Sequence, residues 1–263
     1  MTLRRHESAA RPEASSIPLP RVETEDAQLD GEWFYRFEFE DGTVTECPPE
    51  LDEFHVARAQ LVLPELDRFA AGKWPDLRCI DIASHEAWFG LQLAARGANE
   101  VLAVEVDPAR AQRARSMVRR TAFEQVTVRE CDLFELSPDA DGQFDVVLFL
   151  GILYHLSDPV GALQLARSLT RGVCVVETQV ARPVPPLDCL WGTVAPREGS
   201  AIAVVPADEG HAVGVPVALV PTLAALVDLL HAVGFNELVQ AVATPDLHEQ
   251  YRDEDRVVVF AWP

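Results

Sequence analysis

Three acidic residues stand at or just beyond the ends of short apolar segments, where ligand-binding groups of an α/β protein are usually found. Asp81 ends the first segment, Glu105 ends the second, and Asp132 follows the third. In open α/β sheets, ligands bind beyond the carboxyl ends of the strands. A carboxylate at the end of the second strand can accept hydrogen bonds from both hydroxyl groups of a ribose. The spacing therefore predicts a site for an adenosine-containing ligand.

Two further stretches follow predicted strands and carry polar groups. Residues 81–89 run from the first strand directly into a helix. Their backbone N–H groups and the positive helix end would therefore face an anionic part of a ligand. His155 follows the fourth strand, where its neutral imidazole could take a proton from a hydroxyl or an amine. The alternative is that His155 only hydrogen-bonds its own loop and packs beside the ligand.

The elements that must position these residues alternate from residue 78 onward. Strands are predicted near residues 78–81, 101–105, 126–128, 145–150, 173–176, 236–243 and 256–261. Strands that alternate with helices favour a parallel sheet with helices on both faces, and two successive strands at the end favour one antiparallel strand. The pattern predicts an α/β fold of the Rossmann-like, doubly wound type. Its sheet would be mostly parallel and seven-stranded, with one antiparallel strand.

The chain divides by composition into an arm, an extension and a main domain. Residues 1–28 are polar and aperiodic and predict a mobile arm. Residues 29–76 predict a hairpin that turns at Asp41-Gly42, then a helical segment that Pro64 should end or kink. Residues 77–263 form the predicted ligand-binding domain. Within it, the Pro- and Gly-rich stretch 181–220 breaks the alternation and predicts a lid over the site.

Charge and cysteine content narrow the class of protein. The formal net charge is −20 and Lys73 is the one lysine, which disfavours nucleic-acid binding. Arginines cluster on the helix at 110–120, where a solvated helix face is favoured over a phosphate track. The five cysteines are scattered without a C-x-x-C pair, and no apolar run reaches the roughly 20 residues of a membrane span. We expect a cytoplasmic protein without a metal site, a membrane partner or a nucleic-acid partner.

Six motifs together resemble one family. They are Asp81–Phe89, Ala94–Ala98, Val104–Pro108, Cys131–Leu133 and Phe144–Val147, followed by Gly151–Pro159, which reads GILYHLSDP. Their order and spacing resemble class I S-adenosylmethionine (SAM)-dependent methyltransferases. The branch most similar includes small-molecule methyltransferases and the enzyme that carboxymethylates the wobble uridine of tRNA. The resemblance covers roughly residues 33–180 well and the C-terminal stretch more loosely.

The resemblance implies a role for each matching residue. The methionine part of SAM would lie against Asp81 and the backbone of residues 83–85, and the ribose would bond Glu105. Asp132 would bond the adenine amino group beside Leu133, and Gly151 and Tyr154 would line the methyl-transfer face. The full cofactor-binding set is Asp81, Ala83, Ser84, His85, Glu105, Val106, Cys131, Asp132, Leu133, Leu150 and Gly151.

The first loop departs from the family pattern. Glycine is usual at the positions of Ala83 and Ala87, and glycine or asparagine at the position of His85. Glycine permits a positive φ and a close approach of the backbone to a ligand. Two alternatives follow. Either the cofactor site is retained, with His85 or Glu86 touching cofactor or substrate, or the loop has drifted and SAM binding is weakened or lost.

We therefore expect a SAM-dependent enzyme that methylates an oxygen or nitrogen of a small molecule, as in secondary metabolism. His155 and Tyr154 are the candidate catalytic residues, and the candidates for substrate binding are Trp33, Tyr35, Glu177 and Trp191. A tRNA-modifying transferase of the wobble-uridine type and a catalytically degenerate SAM-binding module remain alternatives. An NAD-dependent oxidoreductase is disfavoured because the chain lacks G-x-G-x-x-G. A homodimer is left open.

Overall fold

The computed structural model describes residues 3–7, 16–22, 31–182, 203–204 and 217–263. The strands are β1 Arg4–Glu7, β2 Arg78–Ile82, β3 Glu100–Glu105, β4 Val126–Glu130, β5 Phe144–Leu150, β6 Thr170–Gln179, β7 Ala203–Val204, β8 Val217–Ala218, β9 Glu237–Val242 and β10 Arg256–Trp262. The α-helices are α1 Pro49–Ala70, α2 Trp88–Ala95, α3 Pro108–Arg119, α4 Pro138–Asp141, α5 Pro159–Leu169, α6 Leu223–Ala232 and α7 Glu249–Arg252. The chain forms two compact units, which are Met1–Glu7 with Phe134–Pro263, and Ser8–Leu133.

The unit Ser8–Leu133 is built on three parallel strands. Its strand order is β2-β3-β4, and the register places Asp81 beside Ala103 and Glu105 beside Glu130. Parallel strands end at the same edge, so the carboxyl ends of β2 and β3 lie next to each other. The described part of the predicted extension 29–76, which starts at residue 31, belongs to this unit together with β2–β4.

The other unit contains five strands in the order β1-β9-β10-β6-β5. Strand β5 pairs with β6 in parallel, and β10 runs antiparallel to both of its neighbours, β6 and β9. The Rossmann-like, mostly parallel α/β class is therefore confirmed. The strand number differs, because the described residues of the two units contain three and five such strands, which is eight rather than the seven expected. The additional strand is β1, from the predicted mobile arm, which pairs in parallel with β9.

Local sequence explains where most of these elements begin. Phe144–Leu150 is almost entirely apolar and buried, as expected for a strand with both faces covered. Asp107 caps α3 by accepting the Arg110 N–H at 2.9 Å, with Pro108 at the first helical position. Pro64 lies inside α1 and does not end it. Burial of the flanking residues offsets the hydrogen bond that proline cannot donate.

The predicted hairpin before α1 is present. Glu38 and Val44 form an antiparallel bridge, and Gly42, at φ 83°, donates its N–H to the Phe39 carbonyl at 3.0 Å. The aromatic side chains of this segment point inward, with Tyr35 and Phe37 buried. The extension is therefore part of the packed core of its unit.

The predicted lid lies largely outside the described residues, and so does Trp191. Its described parts are the short antiparallel pair β7–β8 and residues 181–182 and 219–220. Across the described ranges, every helix is too short or too polar to cross a membrane. The same ranges hold no group of three His, Cys, Asp or Glu side chains that could bind a metal ion.

Candidate functional site

The loop after β2 adopts a backbone conformation normally reserved for glycine. Ala83, His85 and Ala87 have φ values of 60°, 53° and 62°. For a residue with a side chain, this left-handed region costs roughly 1–2 kcal/mol. Strain of this kind persists where the surroundings hold the backbone in place, and it is concentrated at functional sites. The glycine-poor loop has therefore kept the shape that glycines would give it.

Glu105 ties this loop to the end of β3. Its Oε2 accepts the His85 N–H at 2.8 Å, and its Oε1 accepts the Asp107 N–H at 3.0 Å. The side chain is only 3% exposed, and burial raises its pKa, while the two backbone donors lower it. A carboxylate has about four acceptor positions, so two remain for a ligand.

Asp81 lies one strand away and is equally buried. Its Oδ2 accepts the Gly90 N–H of α2 at 3.0 Å. Burial raises the pKa of Asp81 to about 7. At neutral pH this carboxyl therefore gains or loses a proton readily, and a cationic ligand would favour the charged form.

Two polar atoms of the loop are buried without a partner. Neither the Ser84 Oγ nor the His85 Nδ1 has a hydrogen-bond partner among the described residues. The His85 ring stacks on Phe34, with the ring centroids 4.1 Å apart. Burial, then the charges of Arg110 and Arg113, lower the pKa of His85 to about 3. Its imidazole is therefore neutral, and one ring nitrogen can accept a hydrogen bond while the other donates one.

Glu86 joins the loop to the N-terminal extension. Its Oε2 accepts the backbone N–H groups of Phe34 and Tyr35 at 3.0 and 3.2 Å, and its Oε1 accepts the Arg113 Nε–H at 2.8 Å. Arg113 also lies 4.0 Å from the ring centroid of Trp33. Sequence reasoning gave Glu86 no definite place in the site. The available signal was an acidic residue directly beside a predicted anion-binding loop.

The aromatic candidates of the extension are buried. Trp33 and Tyr35 are 4% and 6% exposed. Tyr35 stacks on Trp88, the first residue of α2, with centroids 5.7 Å apart and ring planes 13° apart. These residues lie in the same unit as the loop after β2, and they support it from the side of the extension.

The third strand end contributes an exposed acid and a buried apolar residue. The Cys131 N–H bonds the Glu105 carbonyl at 3.2 Å and extends the pairing of β3 with β4. Asp132 is exposed, and Leu133, 8% exposed, begins a short 3-10 turn. Val106, just after β3, is half-buried. These residues lie within one unit with Asp81 and Glu105.

In the other unit, the end of β5 leads into the GILYH motif. Leu150 ends the strand, and Gly151, at φ 72°, donates its N–H to the Glu177 carbonyl of β6 at 2.9 Å. Tyr154 is buried and His155 is half-buried, with their ring centroids 4.1 Å apart. The motif thus places both candidate catalytic residues on one short turn.

Glu177 lies inside β6 and is fully buried. Arg256 of β10 donates to both of its carboxylate oxygens, with Nε–Oε1 at 2.6 Å and Nη2–Oε2 at 3.1 Å. The Tyr251 hydroxyl donates to Oε1 at 3.0 Å. Sequence reasoning missed Arg256 and Tyr251, because no local pattern links residues so far apart along the chain.

Comparisons with known proteins identify the type of domain and its fold. Residues 74–195 match a family model described as a methyltransferase domain. The N-terminal domain of EvdMO1, solved in the presence of S-adenosylhomocysteine (SAH) and D-fucose, is similar with 23% identity and a TM-score of 0.61. The match covers 86% of this chain and 89% of that domain, and a similar match covers 45% of a longer EvdMO1 chain.

Two further solved structures share the fold. Magnesium protoporphyrin IX methyltransferase (ChlM) from Synechocystis PCC 6803, with bound SAH, has a TM-score of 0.56 and 17% identity over 81% of this chain and 87% of that chain. PH0226 from Pyrococcus horikoshii OT3 has a TM-score of 0.55 and 15% identity over 82% and 93%. No curated protein sequence matches this chain. Residues 74–195 therefore match a methyltransferase domain, and the chain shares its fold with proteins that were solved with SAH bound.

Proposed function

We propose that this protein transfers the methyl group of SAM to an oxygen or nitrogen of a small-molecule acceptor. The observation that carries the proposal is the loop after β2, in which Ala83, His85 and Ala87 all keep a left-handed backbone without glycine. A drifted loop would have no reason to retain three strained residues. This observation favours retained cofactor binding over a degenerate SAM-binding module.

The loop and the two neighbouring strand ends provide groups that fit SAM. Ser84 Oγ and His85 Nδ1 are buried polar atoms that a ligand would satisfy. We assign Asp81 and the 83–85 backbone to the methionine part, and the two remaining acceptor positions of Glu105 to the ribose hydroxyls. The adenine would lie against Leu133, with its amino group on Asp132. Val106, Cys131, Leu150 and Gly151 complete the proposed cofactor set.

The charges of this set suit the cofactor. SAM carries a positive sulfonium and, when bound, supplies a methyl group already activated for transfer. Burial disfavours the ionised forms of Asp81 and Glu105 and raises the pKa of each, so a nearby cation would favour these ionised forms. The neutral imidazole of His85 adds no repulsion toward that cation.

On the acceptor side, the chain's task is to hold the nucleophile in line and exclude water. Tyr154 and His155 follow Gly151 on one turn, and we propose that they face the acceptor. His155 would take the proton of an acceptor hydroxyl or amine, if a base is required. Trp33 and Tyr35 remain proposed contacts of the substrate, although both are buried. Glu177, with its carboxylate held by Arg256 and Tyr251, would act on the substrate only indirectly.

Charge favours a small molecule over tRNA as the acceptor. The chain has 42 acidic residues against 22 lysines and arginines. In addition, Arg113 of the α3 arginine cluster is engaged with Glu86, and Arg115 lies 3.1 Å from Glu130. These pairs leave less positive charge for phosphates. The EvdMO1 domain was solved with D-fucose present, so free sugars are a reasonable first panel of acceptors.

Isothermal titration calorimetry of the full chain with SAM, SAH and NAD tests the proposal. We expect SAM and SAH to bind and NAD to give no heat. A second step incubates the protein with methyl-labelled SAM and a panel that includes D-fucose and simple amines. Absence of heat with both SAM and SAH would contradict the proposed function, and binding without transfer to any acceptor would favour the degenerate module.

A further inference from the structure

Four buried polar side chains form a network beside the GILYH turn. We call Tyr154, Glu177, Tyr251 and Arg256 the Arg256 cluster. Their exposed fractions are 9%, 0%, 3% and 4%. They come from the turn after β5, from β6, from α7 and from β10, all in one unit.

Arg256 is the centre of the cluster. It holds both carboxylate oxygens of Glu177, and its Nη2 also donates to the Tyr154 hydroxyl oxygen at 3.2 Å. Its guanidinium carbon lies 5.0 Å from the centroid of the Tyr154 ring. An arginine has a rigid fork of donors and no acceptor. The Tyr154 hydroxyl therefore accepts from Arg256, and its own proton must point to a different acceptor.

Glu177 controls the same turn by two routes. Its backbone carbonyl accepts the Gly151 N–H at 2.9 Å, and its side chain fixes Arg256, which fixes the Tyr154 hydroxyl. Glu177 thus fixes the position of the Gly151 backbone and, through Arg256, the position of the Tyr154 hydroxyl. The Leu219 N–H, bonded to the Tyr154 carbonyl at 2.8 Å, holds the turn from outside the cluster.

Stability alone does not explain the cluster. Replacing a buried ion pair with well-packed apolar residues is often neutral or stabilising, so such a pair is weak evidence for a stabilising role. The charged pair instead fixes the orientation of the hydroxyl group that it contacts. Apolar residues could fill the same space, but they could not orient a hydroxyl group.

We propose that Arg256 and Glu177 are positioning residues for methyl transfer, which aim the Tyr154 hydroxyl as a hydrogen-bond donor at the acceptor molecule. The ion pair is neutral as a whole, so the group presented to the acceptor is an uncharged donor. It suits a neutral oxygen or nitrogen better than an anion. This inference rests on the proposed function for the identity of the reaction, but the geometry on which it depends lies within one unit.

The chain has three tyrosines, Tyr35, Tyr154 and Tyr251, so fluorine NMR can observe each one separately. The full chain is labelled with 3-fluorotyrosine, and the three resonances are assigned with single Tyr→Phe variants. We expect Arg256→Lys and Glu177→Gln to move the Tyr154 resonance and leave that of Tyr35 in place. We also expect SAH to move the Tyr154 resonance of the unmodified chain.

A matched control is available on the surface of the same unit. Arg171 holds both carboxylate oxygens of Asp145 at 2.7 and 2.6 Å, but its side chain is 47% exposed. Arg171→Lys should leave the Tyr154 resonance unchanged. If Arg256→Lys or Glu177→Gln does not fold, the paired variant Glu177→Gln with Arg256→Gln removes both charges at once and should still move the Tyr154 resonance.

Kinetics then separates positioning from a structural role. With an acceptor from the panel, Tyr154→Phe and Arg256→Lys should each lower kcat by roughly tenfold to a hundredfold, with KM for SAM within about twofold of normal. The double variant Tyr154→Phe with Arg256→Lys should have a kcat within about twofold of that of Tyr154→Phe, because Arg256 acts through Tyr154. Calorimetry with SAH is run on every variant.

Three results would overturn the inference. The first is a Tyr154 resonance whose chemical shift is unchanged in both Arg256→Lys and Glu177→Gln, and the second is one whose chemical shift is unchanged when SAH binds. The third is a loss of kcat in Tyr154→Phe with Arg256→Lys that equals the product of the losses in the two single variants. Failure of the unmodified chain to bind SAH would instead contradict the proposed function. The spectra of the variants would still show whether Arg256 and Glu177 hold Tyr154.

Discussion

The buried carboxyl of Asp81 should make the stability of this protein depend on pH, and Asp81→Asn should remove that dependence. Burial raises the pKa of Asp81 from 3.8 to about 7. The folded state therefore keeps the proton over a pH range in which the unfolded state has already lost it. The favourable contribution of this carboxyl is fully present below pH 3.8, declines as the pH rises, and is gone above about 7.

The size of the effect follows from the two pKa values. One pH unit corresponds to about 1.4 kcal/mol, so the whole interval from 3.8 to about 7 is worth about 4 kcal/mol. Between about pH 5 and about pH 8 the expected change is about 3 kcal/mol. The amide of the Asp81→Asn variant does not titrate. The free energy of unfolding of this variant should therefore rise relative to the unmodified protein by this amount over that interval.

Urea unfolding at several pH values between about 5 and 8 measures the difference. The control is Asp76→Asn, which changes an exposed aspartate of the same unit and should follow the pH dependence of the unmodified protein. Each variant differs from the unmodified protein by one carboxyl, so only the difference between its curve and that of the unmodified protein is used. Parallel curves for Asp81→Asn and the unmodified protein would refute the argument that burial penalises the charged form.

The remaining predictions concern the cofactor site and the surface. Glu105→Ala should weaken SAM binding by about 1.5–3 kcal/mol in calorimetry, whereas Glu100→Ala at the other end of β3 should not; equal effects would contradict the ribose assignment. Ala83→Gly should raise the free energy of unfolding, measured in urea, by about 1 kcal/mol, because glycine adopts a φ of 60° without the strain that the half-buried alanine bears. A lower free energy of unfolding would show that this strain is not the dominant effect. Native gel shifts with tRNA at physiological salt should show no complex, since acidic residues outnumber basic ones 42 to 22; a micromolar, salt-dependent complex would favour a tRNA-modifying enzyme.

The strands and helix starts were accessible from sequence because their signals are local. Asp107-Pro108 marks the start of α3, and the apolar run of β5 marks a strand with both faces buried. The acids at the ends of β2 and β3 follow from the same patterns, because parallel strands end at one edge. These features depend on a few neighbouring residues, and the sequence displays such neighbours directly.

Features that depend on distant residues or on strain were not accessible. Alanine intrinsically disfavours a left-handed backbone conformation, yet Ala87 adopts one. Its methyl group packs in a core cluster with Ala103 and Ala114. The pairing of Glu177 with Arg256 joins residues separated by 79 positions. The extra strand β1 also depends on a distant partner, because a strand of four residues is not stable unless it pairs with another strand, here β9.

The link between Glu86 and the N-terminal extension limits how the chain can be cut for expression. The residues that match the family model begin at 74, but Phe34 and Tyr35 supply two of the three donors to the Glu86 carboxylate. A fragment trimmed to the matching region would leave a carboxylate that is 1% exposed in the full chain short of two hydrogen bonds, and would remove the ring that stacks on His85. Fragments for crystallisation or screening should therefore retain Phe34 and Tyr35, and also β1, which pairs with β9.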